Sequence, residues 1–144
     1  MSDLDLYDTD ILAWSERQAD LLRRHAAGDL VNDAELDWLN IAEEIADLGS
    51  ERVASVESLL IQALVHDLKA EAWPGSRDVP KWRNDAQLFR RLARRRYVAS
   101  MKRKIDVADL YAEALGSLPG LMDGLPPLPV PDVCLETLEE LLGV

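Results

Sequence analysis

An all-α fold is the class this sequence predicts, and three observations predict it. Apolar residues recur at three- and four-residue spacing along most of the 144 residues, no stretch sustains a period of two, and five of the seven prolines are gathered between Pro119 and Pro131. The expected architecture is a compact helical bundle of about five to six helices, with a Pro/Gly-rich extended strap before a short C-terminal helix. We read one domain over residues 1–144, with a core bundle at about 7–116, a strap at 117–131 and a terminal helix at 132–142. A chain of this length buries roughly two thirds of its unfolded surface, so no disulfide or metal staple is required.

The first helix is expected from about Thr9 to Ala26. Asp8 or Thr9 would cap it, Ile11, Trp14, Leu21 and Leu22 would face inward, and Gly28 would end it. In the second, Asn32 and Glu35 have capping-box spacing, Val31 and Leu36 sit where a hydrophobic staple forms, and Gly49 is the expected stop. At 100° per residue Asp37, Asn40, Glu43, Glu44 and Asp47 fall inside an arc of roughly 120°, and apolar residues fill the rest. The spacing therefore predicts a mostly buried helix with one acidic stripe.

The third helix runs from about Ser50 to Trp73, where Pro74-Gly75 stops it. Apolar positions cover most of its circumference, which marks a central core helix, and one polar line survives through Ser55, Ser58, Gln62, His66 and Lys69. A very short turn at Gly49-Ser50 would make the second and third helices antiparallel neighbours.

Pro80 suits the first turn of a fourth helix, with Trp82, Ala86, Phe89, Leu92 and Ala93 on its inner face. Arg90, Arg91, Arg94 and Arg95 project into a single arc of roughly 140°, whereas Arg96 would point to the apolar side unless the helix breaks near Tyr97–Ser100. Asp106 caps a fifth helix, Val107–Leu115, ending at Gly116. The strap would be held down by Leu118, Leu121, Met122, Leu125 and Leu128. A final helix, Asp132–Leu142, would turn Leu135, Leu138 and Leu142 to one side. The tryptophans at 14, 38, 73 and 82 are expected in the core.

Charge is strongly segregated. Residues 1–51 carry fourteen acids and three bases, residues 52–80 are at −1, residues 81–104 are at +9, and residues 105–144 carry eight acids and no base, for a net charge of −11. Such a layout favours attraction between helices of opposite sign, within the chain or across an interface. The one cysteine, Cys134, has no Cys or His near it in sequence, so a reducing compartment is expected. The acidic first twenty residues do not resemble a signal peptide, and no apolar run approaches the ~18 residues of a membrane span. Cytoplasmic localisation without membrane association is the expectation.

The segment Leu36-Asp37-Trp38-Leu39-Asn40-Ile41-Ala42-Glu43-Glu44-Ile45-Ala46-Asp47-Leu48-Gly49 is similar to the signature of the bacterial domain of unknown function 29 family, a Leu-Asp pair followed by Asn-Leu-x-Glu-Glu-Ile-x-x-Leu-Gly. Tyr7, Asp10, Trp14, His66 with Leu68-Lys69, Trp82 and the segment Cys134–Leu142 agree with it; Ala70 and the region Tyr97–Ser100 depart from it. The resemblance implies a compact helical bundle and no established activity.

Candidate chemistry is thin. The acidic stripe with His66 is the one constellation that suggests a site, and Asp37, Glu44 and His66 are its candidate metal ligands. Position 63 is Ala63, so the Glu-x-x-His spacing of bundle metal sites is missing, and a structural polar face is the favoured reading. Nucleophile elbows and phosphate loops are absent, no cofactor is predicted, and enzymatic activity is unsupported. Arg90, Arg91, Arg94 and Arg95 form the candidate interaction surface. The expected function is an interaction or regulatory module using segregated acidic and basic faces, with a protein partner or self-association. Its alternatives are nucleic-acid binding through residues 81–104 and a metal-dependent enzyme. Nucleic acid ranks lower because an acidic protein repels a polyanion at long range and no helix-turn-helix pattern is present.

Overall fold

The computed structural model describes the backbone from Asp3 to Val144 and the side chains from Leu6 onward. The fold is all-helical, and the described residues include no strand. Six helices follow in order: α1 (Asp3–Thr9), α2 (Ile11–Ala26), α3 (Trp38–Ala72), α4 (Val79–Arg96), α5 (Val107–Gly116) and α6 (Leu138–Leu142), with 3-10 turns at Asp33–Glu35 and Ala99–Arg103. The chain divides into two compact units, Met1–Gly49 and Ser50–Val144.

In the first unit, α1 ends where the Asp10 N–H donates to the Leu6 carbonyl, and Asp10 then caps α2 by accepting from the Ala13 N–H at 3.0 Å. The cap is therefore Asp10 rather than Asp8 or Thr9, because residues 3–9 make a helix of their own. Ile11, expected inside, is half exposed. Trp14 and Leu21 do turn inward, where they form a small core with Leu36 and Ile41.

Asn32 accepts from the Ala34 N–H and so caps the 3-10 turn instead of the long helix. Local grammar gives way to a buried glutamine: Gln18 Nε2 donates to the Glu35 carbonyl at 3.1 Å while its Oε1 accepts from the Asp37 N–H at 2.9 Å. The chain is thereby held extended at Leu36, and α3 begins only at Trp38.

The expected turn at Gly49-Ser50 does not exist. Residues 38–72 form one continuous helix, so the second and third helices of the sequence reading are consecutive stretches of α3 and not antiparallel neighbours. A glycine within a helix costs only about 1 kcal/mol relative to alanine. The seven-residue series Ala42, Gly49, Val56, Ala63 and Ala70 passes through it unbroken.

In the second unit Val56, Leu60, Leu64 and Leu68 repeat every four residues on one face of α3, and all four are buried. Full burial of such a side chain is worth about 1.5–3 kcal/mol relative to exposure. They meet Ala93 of α4, Leu110 and Ala114 of α5, and Leu141 and Leu142 of α6. α4 breaks at Tyr97, whose backbone turns extended, as the conflict at Arg96 requires; Arg96 then donates to Ser55 Oγ.

The strap is pinned by its backbone. Leu128 N–H donates to the Ala72 carbonyl at 2.9 Å, and Trp73 Nε1 donates to the Leu125 carbonyl at 3.0 Å. Met122 and Leu125 face each other across a two-residue turn in which Asp123 (φ 52°) and Gly124 (φ 77°) are both left-handed, the type I′ geometry that Asp-Gly favours. Of the five residues expected to hold the strap down, Leu118 and Met122 are partly buried, while Leu121, Leu125 and Leu128 are exposed.

The terminal helix is shorter than expected, because Thr137 caps it, its Oγ1 accepting from the Glu140 N–H at 3.2 Å, and sets its start at Leu138. Before it, the Pro131 carbonyl accepts from Tyr111 Oη at 2.6 Å and Glu136 pairs with Arg90, which holds residues 132–136 in an irregular path.

Candidate functional site

Asp37 is nine-tenths buried, and its Oδ2 accepts from Trp14 Nε1 at 3.0 Å and from Asn40 Nδ2 at 2.8 Å. Glu44 accepts from Tyr7 Oη at 2.7 Å, and the Tyr7 ring meets Trp14 edge-on at 4.9 Å. The hydrogen bond to Glu44 pushes the Tyr7 phenol up to about 12; burial and the charges of Glu44, Asp47 and Glu43 act in the same direction. The polar stripe of α3 thus turns toward α1 and α2. Asp37 and Glu44 serve as acceptors for two aromatic donors, a structural role.

His66 lies in the second unit. Its Nδ1 is 2.7 Å from the Gln62 carbonyl, its ring tilts against Phe89 at 5.4 Å, and its Nε2 stands 3.8 Å from Asp85, which is also paired with Lys81. Asp37 and Glu44 belong to the first unit. Among the described residues no three His, Cys, Asp or Glu side chains gather as a metal would require.

The four arginines of the predicted surface do not act together. Arg90 holds Glu136 with both terminal nitrogens, at 3.0 and 3.2 Å, and also donates to Asp67, which Arg83 reaches at 2.8 Å. Burial lowers the Arg90 pKa, but the hydrogen bonds to Glu136 and Asp67 outweigh it and the net shift is upward. Arg94 reaches the Leu142 and Gly143 carbonyls at the end of α6, at 3.4 Å each. Lys102 pairs with Glu139 at 2.8 Å; that bond raises the lysine pKa and lowers the glutamate's. Arg91 and Arg95 stay exposed, with no partner among the described residues. Much of the basic segment neutralises acids of its own unit.

Two features escaped the sequence reading. Trp38, Leu39, Ile45 and Leu48 are 45%, 86%, 67% and 54% exposed, so the first third of α3 turns an apolar face outward where burial was expected, and Trp38 is not a core tryptophan. The signal was present: the heptad series that is buried at Val56 and Ala63 begins at Ala42, where the side chain is exposed. The second feature is a groove of about 740 Å³ where α3 ends against the strap, lined by Trp73, Met122, Leu125 and Leu128 with Arg77 and Asp123 among them. Leucines read as contacts holding the strap down instead wall this groove.

No described helix is long and apolar enough to cross a membrane. The chain matches no curated protein. It is similar in fold to an alpha-helical protein of unknown function from Rhodospirillum rubrum, with a TM-score of 0.64 and 24% identity over 94% of this chain and 88% of that one. The sequence profile of the domain of unknown function DUF29 matches residues 6–143, nearly the whole chain. The Leu36–Gly49 signature, which the structure explains as a helix start tied by Asp37 to Trp14, lies within that match, and the chain belongs to the DUF29 family.

Proposed function

We propose that this protein is an interaction module that receives a basic amphipathic helix on the first third of α3. The carrying observation is the outward apolar face: Trp38, Leu39, Ile45 and Leu48, with Ala42 and Ala46 exposed beside them. A solvated helix normally turns such residues inward, and an exposed apolar cluster of this size, with Trp38, Leu39, Ala42, Ile45 and Ala46 sharing an arc of roughly 120° and Leu48 beyond it, marks a docking surface. Its setting selects the partner. Residues 1–49 carry thirteen acids and three bases, a net −10, and Glu43 is exposed on the same stretch of helix. A helix with apolar residues at i, i+3, i+4 and i+7 and lysines or arginines on its flanks complements that surface, whereas a second copy would set −10 against −10.

The basic segment supports the nucleic-acid reading less well. Arg90, Arg94 and Arg96 turn to partners in their own unit, so α4 offers Arg91 and Arg95 rather than a track of four cations.

The test is a titration with two eighteen-residue Leu-rich amphipathic peptides, one flanked by Lys and one by Glu, read by peptide anisotropy and by the emission of half-exposed Trp38. The Lys peptide should bind, weaken with salt, and lose binding to a Leu39→Glu/Ile45→Glu variant. Equal binding of the Glu peptide, or no binding of either, refutes the proposal. A dimer in gel filtration that the double variant abolishes would assign the face to self-association instead.

A further inference from the structure

The second unit carries a separate feature that points to a ligand. The groove between the end of α3 and the strap, at about 740 Å³, falls within the size range of small-molecule sites, roughly 300–1,000 Å³. Its backbone is hydrogen-bonded to itself. Trp73 Nε1 donates to the Leu125 carbonyl, Leu128 N–H donates to the Ala72 carbonyl, and Met122 and Leu125 exchange hydrogen bonds at 2.9 and 3.0 Å. The walls therefore present mainly leucine, proline and thioether surface, with the buried indole of Trp73 behind them. Only two charged side chains line it, Arg77 and Asp123. Both are exposed, and neither has an ion-pair or hydrogen-bond partner among the described residues.

We infer that this groove binds an amphipathic carboxylate, with its apolar body along Trp73, Met122 and Leu125 and its carboxylate on Arg77. A guanidinium offers five donors in a planar fork that matches a carboxylate in two-point contact, and in the same unit Arg90 makes such a contact to Glu136. Arg77 stands at an apolar trough with that capacity unfilled. Asp123 sets the polarity of the site. It sits at the tip of a type I′ turn, bears the lining's one negative charge, and opposes an anionic head group without preventing its contact to Arg77.

The experiment uses the full chain and three ten-carbon probes below their micelle concentrations: decanoate, decanol and decyltrimethylammonium. Calorimetry gives the affinities, and tryptophan emission reports on Trp73. Decanoate should bind tightest. Arg77→Ala should weaken it about tenfold, to the level of decanol, as loss of one charge-assisted contact requires. Asp123→Asn, which tolerates the same left-handed backbone, should tighten it. Leu125→Asp should abolish binding of all three probes, and both polar variants alter exposed side chains, so circular dichroism should be unchanged. The opposite pattern, with the ammonium probe tightest, weakened by Asp123→Asn and tightened by Arg77→Ala, overturns the inference in favour of a cationic ligand. Equal affinity for the three probes, or no heat with any of them, overturns it as well.

Discussion

Replacing Gly49 by alanine distinguishes a continuous α3 from a helix pair broken at Gly49-Ser50. In the continuous helix the backbone at Gly49 is right-handed, and a Cβ built there meets no atom within 4 Å. The substitution then removes the entropic penalty of an interior glycine and should stabilise the protein by about 0.5–1 kcal/mol. For 144 residues that corresponds to a rise in Tm of about 2–4 °C. A glycine ending a helix behaves the other way, and Gly143 supplies the internal comparison. Its φ is +75°, and a Cβ there would lie 3.0 Å from Arg94 Nη1. Gly143→Ala should therefore cost about 1–2 kcal/mol. Calorimetric melting of the two variants beside the parent reads both signs in one experiment. A Gly49→Ala protein that melts lower than the parent, as Gly143→Ala should, would refute the continuous helix and restore the turn.

Two further outcomes test the hydrogen-bond knot of the first unit. Asp37→Ala strands the Trp14 and Asn40 donors and should cost about 2–4 kcal/mol in urea unfolding followed by tryptophan fluorescence, with Asp37→Asn costing less; a loss under about 0.5 kcal/mol would remove Asp37 from its structural role. Tyr7 links stability to alkaline pH. Its folded pKa lies above its unfolded one, so its contribution is complete below about pH 10 and fades as pH rises through about 12; Tyr7→Phe should lack that alkaline step in stability, measured by urea titration across the interval.

The helices were legible where local chemistry and packing agree. Asp106 before Val107, Pro80 in a first turn, and the four-residue repeat of Val56, Leu60, Leu64 and Leu68 each specify in sequence what they do in the fold. Legibility failed where a distant group intervenes. Asn32 and Glu35 have the spacing of a cap for the long helix, but Gln18, fourteen residues before Asn32, holds the chain extended past them. Thr137 and Glu140 carried the opposite lesson, since their capping-box spacing lies in the sequence and the Thr137 cap shortens the last helix. Arg90, Arg91, Arg94 and Arg95 share an arc on a helical wheel, yet a wheel records direction and not partners; Glu136, forty-six residues away, decides what Arg90 does. The groove was invisible because Trp73 and Leu125 are joined across fifty-two residues by one indole N–H.

The tie between Asp37 and Trp14 bears on how kinship should be interpreted in this family. In this chain the signature's acids orient two aromatic side chains, Asp37 holding Trp14 and Glu44 holding Tyr7, so the residues that carry the family likeness are engaged in building the first unit. Matching the Leu36–Gly49 signature is therefore an argument about architecture, since here its acids are engaged with Trp14 and Tyr7. Members would be better sorted by what occupies the solvent-facing positions here held by Leu39, Ile45, Arg77 and Asp123, where substitution leaves the scaffold intact and changes what it meets.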